Sequence, residues 1–447
     1  MNYPRLARQS VILALFIGFT GTAAQCQADA RTARSDSAVR GPALTPKAAA
    51  AQLRMVAFEP PTESADEQRR TLRTAAEIAW DYVERNYSSH SGLVHAVNTW
   101  SYSTIWDIAS ALAAYHSAKG LGLISDEQYR NRMNRALNTL ESAALYENVA
   151  FNKLYGTRDG VMVGRDEKAD TRGYGWSALD MGRFLVWMKI VAENDPAARD
   201  QIQRIVQRLD LRRLVKDGYL RGGNLDLSEG THKEYQEGRI GYEQYAAHGF
   251  ALWGARAEQA LGFDTNATPV DVLGFTILDD RRGGANLTSE PFIMMGLELG
   301  WPSERWEEQA RNVLAAQRER FKRTRIMTMV SEDAVPVRPA YFYYYLLRRD
   351  GKDFVVRAAG GGVSDSYPRW VSAKAAFGWH ALFPSDYTWS AVQVVQPAGV
   401  RGKGWSAGVY ERSKRPTPGF ILNTAAMVLE AAYFAQRNCP LVKPSCN

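Results

Sequence analysis

The chain has 447 residues and a formal charge of +7, from 55 Lys and Arg against 48 Asp and Glu. Spread so thinly, that excess excludes a nucleic-acid-binding domain, which concentrates its basic residues on one face. Twelve Trp and 21 Tyr accompany an ordinary apolar fraction. Sugar rings stack on the faces of these side chains, although most of them are expected in the core.

Residues 1–30 have the form of an exported leader. Arg5 and Arg8 precede the apolar run Val11 to Phe19, and small residues then end in Ala28-Asp29-Ala30. The run is too short for a permanent anchor, and no later stretch approaches 18 apolar residues. A periplasmic protein without an integral membrane segment after processing is therefore expected, beginning near Arg31. Cys26 offers lipoprotein anchoring as an alternative, but Ala23-Ala24-Gln25 before it lacks the expected leucine and small residue. With the leader removed, Cys439 and Cys446 are the remaining cysteines, and an oxidising compartment lets them close a disulfide in a C-terminal tail, residues 439–447. Residues 31–66, rich in Ala, Arg, Ser and Pro and without periodicity, read as a disordered linker.

From residue 67 to 438 the spacing predicts helices over 68–86, 104–120, 125–145, 176–194, 197–209, 242–261, 288–299, 303–322, 369–382 and 420–437. Ser125 with Gln128 is a capping box, and Pro302-Ser303 opens a helix with early glutamates. Long connections separate the helices, at Glu147 to Gly175, Arg212 to Gly241, Thr324 to Pro368 and Phe383 to Gly419. Connections of that length are functional or contain short strands. No repeat of 34 to 45 residues is visible. The expectation is an all-α helical toroid whose loops form a cleft at one end.

The segment STIWDIASALAAYHSAKGLGLISDEQYRNRMNRALNTLE, with FNKLYGTRDG and YGWSALDMGRFLVWM after it, resembles the opening of the bacterial glucoamylase-like domain, the family related to endo-β-1,2-glucanases. GYEQYAAHGFALWG, TSEPFIMMGLELGW, RWVSAKAAFGWHALFPSDYT and GWSAGVYE followed by NTAAMVLEAAYF are closer to a neighbouring uncharacterised bacterial domain family associated with exopolysaccharide loci. The resemblance spans residues 70–437. It implies an (α/α)6 toroid with its cleft at the loop end of the inner helices, a polysaccharide or oligosaccharide as ligand, and exopolysaccharide synthesis or export machinery as a partner. The surroundings of the glucanase acids are not copied here, so neither the linkage nor hydrolysis carries over.

Glycoside cleavage needs two carboxyl groups flanking a glycosidic oxygen, one protonated and one ionised. Glu243 follows Tyr242 on an aromatic helix and is the candidate general acid, with Arg239 one turn earlier as the partner that would lower its pKa. Asp386, among Phe383, Tyr387 and Trp389 in a long connection, and Glu411, beside Trp405 and Tyr410, are candidate bases or nucleophiles. By resemblance Glu411 holds the acidic position after the family's glycine-aromatic segment. Asp107 starts an apolar helix and is a further cleft acid. Asp180 reads as the partner of Arg183 in a buried ion pair, Glu290 as a helix-start carboxylate beside the substrate, and Ser331-Glu332-Asp333 as an acidic loop. Trp106, Tyr155, Trp176, Tyr245, Trp389 and Trp405 are expected to line the subsites.

The six histidines show no HExxH spacing, so no zinc site is expected, and Gly360-Gly361-Gly362 is a lid candidate rather than a phosphate loop. No cofactor is implied. These residues point to a glycoside hydrolase or transglycosylase working by paired carboxylates. A non-catalytic glycan-binding protein assisting export is the first alternative. A polysaccharide lyase built from Tyr341, Tyr343, Tyr344, Tyr345, Arg338 and Arg348 is the second, although YFYYYLL reads more simply as a buried strand.

Overall fold

The computed structural model describes residues 55–263, 266–280, 282, 286–337, 341–348, 352–359 and 362–446. The leader, Cys26, residues 31–54 of the expected linker, Arg338, Gly360 and Gly361 lie outside the described residues. The linker expected to reach residue 66 ends sooner, because residues 55–63 are docked on the helices. Arg311 donates to the Val56 carbonyl at 3.1 Å, Phe58 stacks on Phe383 at 5.8 Å, and the Thr62 amide donates to Asp386 at 2.8 Å.

Twelve α-helices follow among the described residues: α1 Ala65–Asn86, α2 Ile105–Gly120, α3 Asp126–Ser142, α4 Ala178–Asn194, α5 Arg199–Gln207, α6 Tyr242–Ala251, α7 Glu258–Leu261, α8 Glu290–Met294, α9 Glu304–Thr324, α10 Ala373–Leu382, α11 Asp386–Val395 and α12 Leu422–Arg437. The even-numbered helices form a closed ring, since α2 packs on α4, α4 on α6, α6 on α8, α8 on α10, α10 on α12, and α12 back on α2. The odd-numbered helices pack outside this ring. Sequence chemistry sorts the two layers. The ring helices α2, α4 and α12 are buried on nearly every side, as helices without a polar face must be. The outer helix α5 buries only Ile202, Ile205 and Val206, one stripe. Close approach within the ring depends on small residues. A Cβ on Gly182 of α4 would overlap Ala246 of α6, and one on Gly249 would overlap the Gly182 carbonyl.

The connections are strongly asymmetric. Those leading from a ring helix to the next outer helix are short, such as 121–125, 195–198 and 383–385. Those leading from an outer helix to the next ring helix are long and carry paired strands. The hairpins are β1 Tyr219–Asp226 with β2 Thr231–Gln236, β3 Ala267–Val272 with β4 Phe275–Asp280, and β5 Phe342–Arg348 with β6 Asp353–Ala358. The fold is therefore helical but not all-α, and the YFYYYLL run is a buried strand as expected. Two helix expectations change at their ends, and one connection gains a helix. The stretch 369–382 begins as the strand Trp370–Ser372, paired with Gly408–Tyr410, before α10 starts at Ala373. The stretch 242–261 breaks after Ala251, with Gly254 at φ +80° turning the chain. The long connection 383–419 contains α11, opened by the Ser385 cap that accepts from the Thr388 amide. Cys439 and Cys446 are bonded to each other. No described helix is long and apolar enough to cross a membrane.

Candidate active site

All six ring helices begin at one end, and their first turns surround a cavity of about 190 Å³. Asp107 comes from α2, Asp180 from α4, Tyr242 from α6, Glu290 from α8, Lys374 from α10 and Asn423 from α12. Helix N-termini carry partial positive charge, so this ring of starts is a natural seat for carboxylates. The long connections add Lys153, Tyr235, Glu237, Arg239, Glu332 and Tyr343 to the walls, and Trp100 and Trp106 supply aromatic faces.

Local sequence holds each carboxylate. Asp107 is the third residue of a capping box. Its Oδ2 accepts from the Thr104 hydroxyl at 2.7 Å, and its amide donates to Thr104 Oγ1 at 3.1 Å. Burial pushes Asp107 up to about 6 against those hydrogen bonds. Asp180 lies one turn into α4, capped by Ser177, whose Oγ accepts the Asp180 amide at 3.1 Å. Burial, and then the charge of Glu237, push Asp180 up to about 7. Glu237 follows strand β2 and folds back over the start of α4, where its Oε2 accepts the Ala178 amide at 2.6 Å. Burial raises Glu237 too, opposed by Lys153, the Ser177 hydroxyl and the amides of Ala178 and Leu179.

The opposite wall is paired throughout. Glu290 accepts from Lys374 Nζ at 2.8 Å, Asn423 Nδ2 at 2.6 Å and the Tyr242 hydroxyl at 2.7 Å. Burial alone would raise Glu290, but Lys374 and these donors outweigh it and hold the carboxyl below its ordinary value. Arg239 pairs with Glu332, and Lys374 reaches Asp333 at 3.5 Å. The cavity thus holds carboxyls of unequal proton affinity beside aromatic faces: burial raises Asp180 to about 7, whereas Lys374 and its other donors hold Glu290 below its ordinary value. Two such groups can give a proton to a leaving oxygen and take one from an attacking one.

Residues 74–438 match the profile of a family described as proteins of unknown function, DUF3131. The chain belongs to the DUF3131 family. No curated protein matches the sequence. The DUF3131 fold resembles that of a candidate glucoamylase from Bacteroides uniformis, with a TM-score of 0.62, 11% identity, and coverage of 85% of this chain and 94% of that one. It also resembles an endo-β-1,2-glucanase from Chitinophaga pinensis in complex with sophorotriose and glucose, with a TM-score of 0.56, 11% identity, and coverage of 85% and 97%. A third similar structure is an endo-β-1,2-glucanase from Talaromyces funiculosus in complex with β-1,2-glucan, with a TM-score of 0.55, 10% identity, and coverage of 84% and 87%. At such identities the likeness is one of fold.

Of the residues singled out in the sequence, the DUF3131 cavity gathers Trp106, Asp107 and Glu290, and also Asp180, Arg239, Glu332 and Tyr343, which were read in other roles. It does not gather Glu243, Glu411, Asp386 or the other subsite aromatics. Glu243 is fully buried and turned away, its Oε1 accepting the Leu220 amide at 3.2 Å and its Oε2 bridged to Arg282. The expected Arg239 partner pairs with Glu332 instead. Tyr242 faces the cavity and Glu243 does not, because consecutive helix residues point about 100° apart. Glu411 is clamped by both Arg320 nitrogens at 2.8 and 2.9 Å and by the Tyr344 hydroxyl at 2.9 Å. Asp386 is exposed on the outer helix α11, accepting from Thr62. The remaining aromatics are core. Trp176 donates to the Arg221 carbonyl, Tyr155 to the Ala144 carbonyl, Trp405 to the Ala75 carbonyl and Tyr245 to Glu298, while Trp389 packs on His380. Asp180 is not the partner of Arg183. That arginine lies one turn deeper and pairs with Glu298 at 3.2 Å and Glu430 at 3.1 Å.

Sequence reasoning missed Lys153, Glu237 and Lys374. The available signal was position. Glu237 closes a strand just before a ring helix, and Lys374 sits in the first turn of another, next to a capping serine.

Proposed function

We propose that this protein is a carbohydrate-active enzyme that cleaves or transfers glycosidic bonds of a polysaccharide, with Asp180 as general acid and Glu237 as its ionised partner. The observation that carries the reading is a pair of buried carboxyl groups acting on each other in one aromatic-walled cavity, with a cation and helix-start amides on one of them only. Burial and the neighbouring Glu237 push Asp180 up to about 7, so it keeps a transferable proton. Burial raises Glu237 as well, but the helix-start amides and the field of Lys153 oppose that rise and favour its charged form. Pairs whose surroundings separate their proton affinities are how acid and base roles are assigned. Asp107 and Glu290 complete the polar walls, and Trp106 offers a stacking face. The fold likeness to endo-β-1,2-glucanases supports a glycan substrate and makes β-1,2-glucan a first compound to try.

A lyase reading is less well supported by the same cavity. Such an enzyme needs a cluster of unpaired cations against a uronate, whereas two of the three wall cations, Arg239 and Lys374, are bridged to carboxylates, the third, Lys153, stands by itself, and acidic residues outnumber basic ones on the walls. The leader-like start and the Cys439–Cys446 bond support work outside the cytoplasm.

The test is to incubate purified residues 31–447 with neutral β- and α-glucans, β-1,2-glucan among them, and with acidic exopolysaccharides, and to follow new reducing ends and transfer products. Cleavage or transfer is expected, falling by roughly 10² to 10⁴ in Asp180→Asn without loss of folding. Glycan binding with no turnover on any compound would replace the enzyme by a binding protein.

A further inference from the structure

Lys153 stands out among the cations of the cavity. It is 7% exposed, and among the described residues its ammonium makes no ion pair, unlike Arg239 and Lys374. It donates instead to two neutral acceptors, Asn224 Oδ1 at 2.6 Å and the Tyr235 hydroxyl at 2.9 Å. The Tyr235 hydroxyl in turn stands beside the Glu237 side chain, both lying against Gly222. The three groups lie in line, the ammonium hydrogen-bonded to the phenol and the phenol beside the carboxylate, and the line ends on one member of the proposed acid and base pair.

The backbone makes room for this chain. Lys153 sits in the connection between α3 and α4, Asn224 and Gly222 on β1, and Tyr235 on β2, where Gly222 pairs in register with Tyr235. A Cβ on Gly222 would lie 2.7 Å from the Tyr235 hydroxyl and 2.8 Å from Glu237 Oε2. Only glycine leaves space for both polar atoms. Burying an unpaired ammonium is costly, and burial lowers Lys153 to about 8 while the fields of Glu237 and Asp180 pull it back up. A buried cation held one hydrogen bond short of a carboxylate is what a charge-setting group requires.

Resting on the enzymatic reading above, we infer that Lys153 is a positioning residue which, through Tyr235, keeps Glu237 ionised so that the proton of the pair resides on Asp180. The charged and titratable groups facing this pair are few. Lys153 and the Ser177 hydroxyl act on Glu237, Tyr235 stands beside it, Asp107 and Tyr174 act on or are acted on by Asp180, and Arg165 acts on Lys153 from outside. Lys153 is the buried cation among them. Without it, two adjacent carboxyl groups would share protons more evenly, and neither role would be clean near neutral pH.

The test reads the carboxyl groups directly. In protein labelled with 13C at the glutamate side-chain carboxyls, with the Glu237 signal assigned by Glu237→Gln, the Glu237 titration midpoint is followed in wild type, Lys153→Met, Lys153→Arg and Tyr235→Phe. The midpoint should rise by about one pH unit or more in Lys153→Met, rise less in Tyr235→Phe, and return toward wild type in Lys153→Arg. Where a glycan is turned over, the acidic limb of the kcat/KM profile should move upward with it, while a merely structural lysine would lower stability and leave the limb in place. If Lys153→Met does not fold, Tyr235→Phe and Lys153→Arg carry the same measurement. An unchanged Glu237 midpoint in the folded variants overturns the inference. Because the titration needs no substrate, it gives its answer even if no glycan is cleaved, an outcome that would count against the enzymatic reading alone.

Discussion

Two groups of buried carboxylates occupy the barrel, and their surroundings differ. At the cavity, Asp107, Asp180 and Glu237 are held by backbone amides, hydroxyls and helix starts. One turn deeper, Glu298 and Glu430 share Arg183, all three with no exposed surface, and Glu298 also takes hydrogen bonds from Trp187 at 3.0 Å and from Tyr245. Burial, and then the charge of Glu298, push Glu430 well above the carboxylate range, so one arginine faces one net negative charge. The deep group is electrically closed. The guanidinium of Arg183 lies 5.0 Å from the Trp106 ring, which separates the two levels. A strongly shifted carboxyl therefore does not mark a reactive site by itself. Access from the cavity does, and Glu243 makes the same point, since burial raises it while its contacts are all protein.

The largest effect that would sharpen this contrast belongs to the deep group. Arg183→Met leaves Glu298 and Glu430 without their cation and should destabilise the fold by about 3–5 kcal/mol, whereas Glu430→Gln, which replaces a protonated group, should change stability little. Urea unfolding of both variants checks the pair. Equal losses would mean that Glu430 carries charge.

A smaller effect separates the groups by pH. Asp107 is raised from 3.8 to about 6 in the folded protein. Its folded form thus holds a proton more tightly than the unfolded chain does, so its stabilising contribution is complete below about pH 4 and is lost as pH rises through 6. Relative to Asp107→Asn, which can still accept from Thr104, the wild type should lose about 2–3 kcal/mol between pH 3 and 7. Thermal unfolding across that range reads the difference. A constant offset would show that the Asp107 carboxyl is not shifted.

The smallest effect concerns Glu243→Gln. Arg282 keeps Asp280, to which it donates at 2.7 and 3.0 Å, so the loss should be about 1 kcal/mol in stability. Turnover on any glycan that the wild type cleaves should be unchanged. A stable but inactive Glu243→Gln would return that residue to the catalytic set and break the distinction between open and closed carboxylates.

The amino-acid sequence alone determined the helices. Apolar periodicity, the Ser125 capping box and the glutamates after Ser303 are local signals, and the elements they predict are present. The resemblance of its motifs reached the family, and the Cys439–Cys446 pair followed from the few cysteines left. It did not determine α11, hidden in a connection whose aromatics looked like a binding loop. Nor did it place the cavity. Asp180 meets Glu237 across 57 positions, Glu290 meets Lys374 across 84, and Lys153 reaches Tyr235 across 82. Such meetings depend on the closure of six helices into a ring and on hairpins folding back over their starts. Tyr242 and Glu243 share one helix turn and near-identical surroundings in sequence, yet one faces the cavity and the other Arg282. The rotation of that helix against its neighbours is a property of packing, fixed by contacts such as Gly182 against Ala246, and no stretch of sequence read by itself contains it.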